Sequence, residues 1–260
     1  MDISNLDTPC VLIDLDRVEA NLKRAQAFAD ASGLKLRPHI KTHKIPRFAL
    51  RQVELGAVGI TCQKLGEAEV MADAGVKDIF LPYNILGERK LARLRALADR
   101  VNISVTADSE TTVAGLSRAF AGAPRPLPVL VECDTGMGRC GVQTPEEALA
   151  LARVIDKAPG LVFAGLMTYP AAGKVEQNAA WLAKAVDVLK RADLPPSIVS
   201  NGGTPDMTRA GEVPAATEHR PGTYIYLDRY QVAQPDSCAG GCERLDLVSP
   251  RFEPVPAQAV

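Results

Sequence analysis

Apolar and polar positions along the chain alternate between two periods. Short apolar runs suited to strands fall at 34–42, 58–63, 78–83, 102–107, 128–134, 161–168, 197–203 and 216–222, and between them lie stretches with apolar residues at helical spacing, near 46–55, 65–75, 87–99, 109–121, 145–158 and 174–191. A further helix precedes the first run: Asp16 and Glu19 have capping-box spacing, Val18, Leu22, Ala25 and Ala29 share a face, and Gly33 ends the pattern. The punctuation is clearest at 145–158. There Thr144 can cap, Pro145 suits the first helical position, Glu147 completes a capping box, and Pro159-Gly160 stops the helix. Strands that alternate with helices must pair in parallel, because each connection crosses back over the sheet. Eight such strands predict a (β/α)8 TIM-type barrel, with an open doubly wound sheet as the competing topology.

The N-terminal residues 1–15 hold a short apolar run, Cys10–Ile13, that reads as a strand segment, and 16–232 form the barrel. Residues 233–260 carry Pro235, Pro250, Pro254 and Pro256 with no sustained period, and read as an irregular tail.

Composition narrows the class of partner. Thirty Lys and Arg against 31 Asp and Glu leave a net charge of −1, which gives no polycationic surface for nucleic acid. No apolar run reaches membrane-spanning length and the N-terminus lacks a signal-peptide pattern, so the expectation is a cytoplasmic protein. The six scattered cysteines read as reduced thiols. The three histidines (His39, His43, His219), and Cys238 and Cys242 without a second ligand pair, are not read as a metal site.

In a barrel, chemistry belongs at the C-terminal ends of the strands. The first strand ends Arg37-Pro-His-Ile-Lys-Thr-His-Lys44. If it continues extended, Arg37, His39 and Lys41 share the interior face, and Lys41 reaches the barrel mouth as a partly desolvated amine, nucleophilic towards carbonyls. An ordinary surface lysine is the plain alternative. Ser200-Asn-Gly202-Gly203-Thr204 and Arg220-Pro-Gly222-Thr223-Tyr224 follow strands seven and eight, where barrel enzymes often bind phosphate; their glycines let backbone amides converge on an anion. Gly136-Met-Gly-Arg139-Cys-Gly141 matches G-x-G-x-x-G, yet the next helix is capped beyond it at Thr144, so it reads as a loop presenting Arg139 rather than a dinucleotide site. Gln63, Tyr83, Asn84, Asp134 and Tyr169 are further polar groups at strand ends.

The motifs RPHIKTHK (37–44), TCQKLGE (61–67), DTGMGRCG (134–141), SNGGTP (200–205) and RPGTY (220–224), with Thr8-Pro9, together resemble the D-threonine aldolase and D-serine dehydratase-like family of pyridoxal-phosphate enzymes, whose barrel is of the alanine racemase N-terminal kind. The resemblance covers about residues 8–232. It implies that Lys41 forms a Schiff base with pyridoxal 5'-phosphate, that Gly202, Gly203, Thr204, Gly222 and Thr223 hold the phosphate, and that Gln63, Arg139 and Tyr169 surround the pyridine ring, with Arg220 and Tyr224 in the same motif. The implied reaction cleaves D-3-hydroxy amino acids such as D-threonine to glycine and an aldehyde. A D-serine dehydratase and a non-catalytic cofactor-binding barrel are the alternatives. The family also implies a homodimer, and a C-terminal β domain whose histidine and a second ligand bind a divalent metal such as Mn or Mg. The resemblance fades near Ala233 and no histidine follows, so the expectation is that this domain and its metal site are missing and that turnover is weakened relative to cofactor binding.

Overall fold

A computed structural model describes Asp7 and residues 11–227. Eight strands, β1 (Lys35–Leu36), β2 (Ile60–Thr61), β3 (Asp78–Leu81), β4 (Asn102–Ala107), β5 (Leu127–Cys133), β6 (Leu161–Thr168), β7 (Ile198–Asn201) and β8 (Glu218–His219), pair in parallel in the order β1-β8-β7-β6-β5-β4-β3-β2. The two ends of that order meet. The Val58 amide donates to the Leu36 carbonyl at 2.9 Å, the Thr61 amide donates to Pro38 at 2.7 Å, and His39 bridges Thr61. The sheet is therefore curled on itself into the barrel that the alternation predicts, and the doubly wound alternative is set aside.

Among the described residues seven α-helices cover the outside: α1 (Leu15–Ala31), α2 (Pro46–Glu54), α3 (Leu65–Asp73), α4 (Glu88–Ala98), α5 (Glu110–Phe120), α6 (Pro145–Lys157) and α7 (Val175–Arg191). The main core lies between this shell and the sheet, where Ile79, Leu81, Val105, Val129 and Leu166 meet Leu94, Leu116, Ile155 and Leu189. Phe80, Leu130, Ala164 and Met167 form a separate small cluster, and Met167 carries it up to the cleft at the barrel mouth.

Two expectations need correction at the N-terminal end. Helix α1 is capped by Asp14, whose carboxylate accepts from the amides of Asp16 and Arg17; Glu19 instead pairs with Arg51 and Lys23. Residues 11–14 form no strand, and Val11 is 72% exposed and Leu12 50%. Cys10 and the tail 233–260 lie outside the described residues.

The α6 capping box is present as the sequence predicts. Thr144 Oγ1 accepts from the Glu147 amide at 3.1 Å, and Glu147 reaches back to the Thr144 amide at 3.2 Å. Thr144→Ala removes the acceptor and should lower stability by about 1 kcal/mol, read as a lower denaturant midpoint with an unchanged slope.

Candidate active site

The first strand is shorter than its apolar run. Pro38 has no amide to continue the ladder, and the His39 ring turns back so that its Nδ1 accepts from the Lys41 amide at 3.3 Å. The chain then enters a 3-10 turn, Ile40–Thr42, closed by the His43 amide donating to the Ile40 carbonyl at 3.1 Å, with the Lys44 amide donating to the same carbonyl at 2.8 Å. Lys41 thus reaches the barrel mouth from a tight turn rather than from the extended strand that the parity argument assumed. Ile40 is fully buried against the helical shell, which leaves Lys41 on the cleft side.

The cleft measures about 640 Å³. Ten of the eleven residues expected at the site line it: Lys41, Gln63, Arg139, Tyr169, Gly202, Gly203, Thr204, Arg220, Gly222 and Thr223. Tyr224 does not. Its ring packs with Val18, Leu22 and Phe48, its hydroxyl accepts from Gln52 Nε2 at 2.7 Å, and burial pushes its pKa up. Only its backbone turns towards the site.

The two glycine turns come together through Thr204. Its Oγ1 accepts from the amides of Gly222 at 3.1 Å and Tyr224 at 3.3 Å, joining the loop after β7 to the loop after β8. The glycines are required by space. A Cβ on Gly202 (φ +84°) would sit 2.1 Å from His219 Cε1, and one on Gly203 would sit 2.7 Å from Tyr169 Cε2. His219 supports the turn from below, its Nε2 3.0 Å from the Gly203 carbonyl; burial first, then Arg220, pushes its pKa down to about 4 and keeps the ring neutral.

On the opposite wall the Gly136–Gly141 loop folds over the Asp134 carboxylate, which accepts from Gly136 N at 2.8 Å and Gly138 N at 3.1 Å. The loop presents Arg139, whose guanidinium lies 4.9 Å from the Tyr169 ring centroid, while Lys41 Nζ lies 5.8 Å from the same centroid. Helix α6 begins beyond these glycines, so they do not open it as a dinucleotide site would.

Three cationic side chains face one cleft, and the charges act on Lys41. Desolvation by the cleft walls, then the charges of Arg139 and Arg220, lower its pKa, with Glu67 opposing. Burial also pushes His39 down to about 3, helped by Lys41 and Arg220. Arg220 is itself buried. It donates to Ser200 Oγ at 2.6 Å and to the Thr168 carbonyl at 2.7 Å, and desolvation lowers it to about 10 against the pull of Glu218 and Glu132.

Sequence reasoning passed over Glu132, a buried carboxyl on β5 that lines the cleft and accepts from Cys140 Sγ at 2.9 Å; burial raises its pKa. A charge inside the apolar run Val129–Cys133 was the available signal. Arg37 was expected beside Lys41. It pairs instead with Glu218 and Asp78, away from the cleft lining.

The family described as "Alanine racemase, N-terminal domain" matches residues 13–230. This chain belongs to that family. Within the family, a D-threonine aldolase of Arthrobacter sp is 37% identical over 237 residues, covering 87% of this chain and 62% of that protein. A 3-hydroxy-D-aspartate aldolase of Paracoccus denitrificans is 34% identical over 88% of this chain and 62% of its own length. The crystal structure of D-threonine aldolase from Filomicrobium marinum superposes with a TM-score of 0.81 at 35% identity, over 88% of this chain and 65% of that one. The D-threo-3-hydroxyaspartate dehydratase from Delftia sp. HT23 does so at 0.78 and 32% identity, over 86% and 62%. The chain therefore spans less than two thirds of the length of these relatives. Among the described residues no group of three His, Cys, Asp or Glu could hold a metal ion, and no helix is long and apolar enough to cross a membrane.

Proposed function

We propose that this cleft is a pyridoxal-phosphate site of a lyase that cleaves D-3-hydroxy amino acids, with D-threonine and D-3-hydroxyaspartate as the substrate types. One observation carries the reading: an amine of lowered basicity and two glycine turns joined through Thr204 share a single cleft. The turns fit a phosphate, because glycines at 202, 203 and 222 leave backbone within reach where a Cβ would strike His219, Tyr169 or the His39 carbonyl. Gly203, Thr204, Gly222 and Thr223 would hold that group. Gln63, Tyr169, Arg139 and Arg220 would surround the ring.

Bound there, the cofactor supplies an aldehyde for an amine to condense with and a pyridine ring that accepts an electron pair from Cα. The chain's own residues prepare for this. Desolvation and the neighbouring guanidinia raise the fraction of Lys41 Nζ present as free base at neutral pH, the form that attacks a carbonyl. Neutral His39 fixes the Lys41 backbone without adding a cation of its own. Arg139, held over Tyr169, offers a guanidinium fork to a substrate carboxylate. The described residues contain no donor set that fits a divalent metal.

A substrate panel tests the reading. The chain, supplied with pyridoxal phosphate, should release acetaldehyde and glycine from D-threonine, or glyoxylate and glycine from D-3-hydroxyaspartate. The likeness to a D-threo-3-hydroxyaspartate dehydratase supports a second outcome, a 2-oxo acid with ammonia, which would replace carbon–carbon cleavage by dehydration. No product from any D-3-hydroxy amino acid, together with no cofactor-derived absorption, would overturn both.

A further inference from the structure

Glu67 stands at the third position of α3, in the wall between the cleft and a second, basic cavity lined by Lys44, Lys64, Lys90 and Arg93. Its two oxygens go to different elements. One accepts from the backbone amide of Gln63, a cleft residue, at 2.8 Å; the other takes the Lys44 ammonium at 2.5 Å. Lys44 follows Lys41 by three residues, donates its amide to the Ile40 carbonyl just after the 3-10 turn, and holds φ +54°, a conformation uncommon for L-residues. The Glu67 side chain is 10% exposed and the Lys44 side chain 53%, so the carboxylate is held in the wall while its ammonium partner stands at the surface.

We propose that Glu67 is a positioning residue for Lys41: its carboxylate clamps the turn that carries the amine to the turn that opens α3. The proposal rests on Lys41 being the reacting amine, but its test needs no bound cofactor. A simple helix cap would require only the Gln63 contact. The second contact, to a residue on the reactive turn, is what separates a clamp from a cap. Arg139 and Arg220 face Lys41 from the loops after β5 and β8, and His39 from its own turn; Lys44, Tyr83 and Cys62 face Glu67. Among the described residues, Glu67 is the one carboxylate acting on Lys41, and it opposes the lowering of that amine's basicity.

The full chain, treated with hydroxylamine to free the amine of any aldehyde, is acylated with trace acetic anhydride across pH, and the Lys41 peptide is quantified by mass spectrometry. Glu67→Gln should move the Lys41 midpoint down by roughly half a pH unit, and Lys44→Met, which leaves Glu67 without its ammonium, should move it up by a similar amount. In both variants the amides of residues 40–44 should exchange with deuterium roughly tenfold faster, because the clamp is open at one end. Thermal melts establish that each variant is folded, and Lys44→Met carries the test if Glu67→Gln is not. A Lys41 midpoint unmoved by either change, or exchange at 40–44 unchanged in both, overturns the clamp. Failure of Lys41 to condense with pyridoxal phosphate in the unaltered chain would instead sink the cofactor reading and leave the acylation shifts to be judged separately.

Discussion

Lys41→Ala is expected to abolish the visible absorption band that pyridoxal phosphate gives when joined to a lysine, and to lower turnover of D-3-hydroxy amino acids by roughly a thousandfold or more, equivalent to about 4 kcal/mol of transition-state stabilisation. The fold should not suffer. Lys41 is solvent-exposed at the mouth of the cleft, outside both helical-shell clusters, so the melting temperature should stay within a degree or two of the parent. Lys41→Arg is the informative companion. It keeps the positive charge near Tyr169, but a guanidinium stays protonated and does not condense with an aldehyde, so the band should be lost there too. Borohydride trapping followed by peptide mapping should place the adduct on Lys41 and nowhere else. Because partial desolvation by the cleft walls and the charge of Arg139 lower the basicity of this amine, adduct formation should also set in at a lower pH than for an ordinary lysine. An adduct that survives Lys41→Ala would show that another amine reacts.

The second large effect is on stability. Glu218 is buried on β8 and lies between two buried cations: Arg37 Nε donates to it at 2.9 Å, and its charge supports Arg220. Ser200 Oγ also donates to it, and that same hydroxyl receives Arg220. Arg37 is held protonated by Glu218 and Asp78 against the desolvation that burial imposes. Glu218→Ala leaves Arg37 with Asp78 alone and Arg220 with Glu132 as its remaining carboxylate, both in a water-poor interior. The expected loss is about 3–5 kcal/mol, a large part of the 5–15 kcal/mol that typically separates folded from unfolded domains. A urea titration near neutral pH measures it. A loss below about 1 kcal/mol would mean that water or a rearranged partner reaches Arg37 and Arg220. Because Arg220 lines the cleft, cofactor affinity should weaken in the same variant.

Much of this architecture was legible in the amino-acid order. Helix α6 could be placed almost to the residue, since Thr144, Pro145, Glu147 and Pro159-Gly160 each act locally. The two glycine turns were recognisable because backbone convergence on an anion needs the absence of side chains, which a sequence states outright. Long-range pairing was hidden. Nothing near Arg37 says that it will meet Asp78 and Glu218, 41 and 181 residues away, so its partners could not be read from strand parity. The 3-10 turn under Lys41 was equally obscure, because it depends on His39 folding back and on a lysine held at positive φ. Tyr224 was drawn into the site by its motif. Its ring answers instead to α1 and Gln52, elements remote in the chain.

The barrel is stitched unevenly around its circumference. Strands β5 and β6 share a ladder running from Leu127–Leu161 to Cys133–Thr168, whereas β1 and β2 are joined by a few amides and one bridge at His39. The amides of this seam, a few residues from the Lys41 amine, are therefore expected to exchange with deuterium faster than those of the long β5–β6 ladder on the opposite wall. Such exchange would report local opening of the β1–β2 seam at a cost below that of global unfolding.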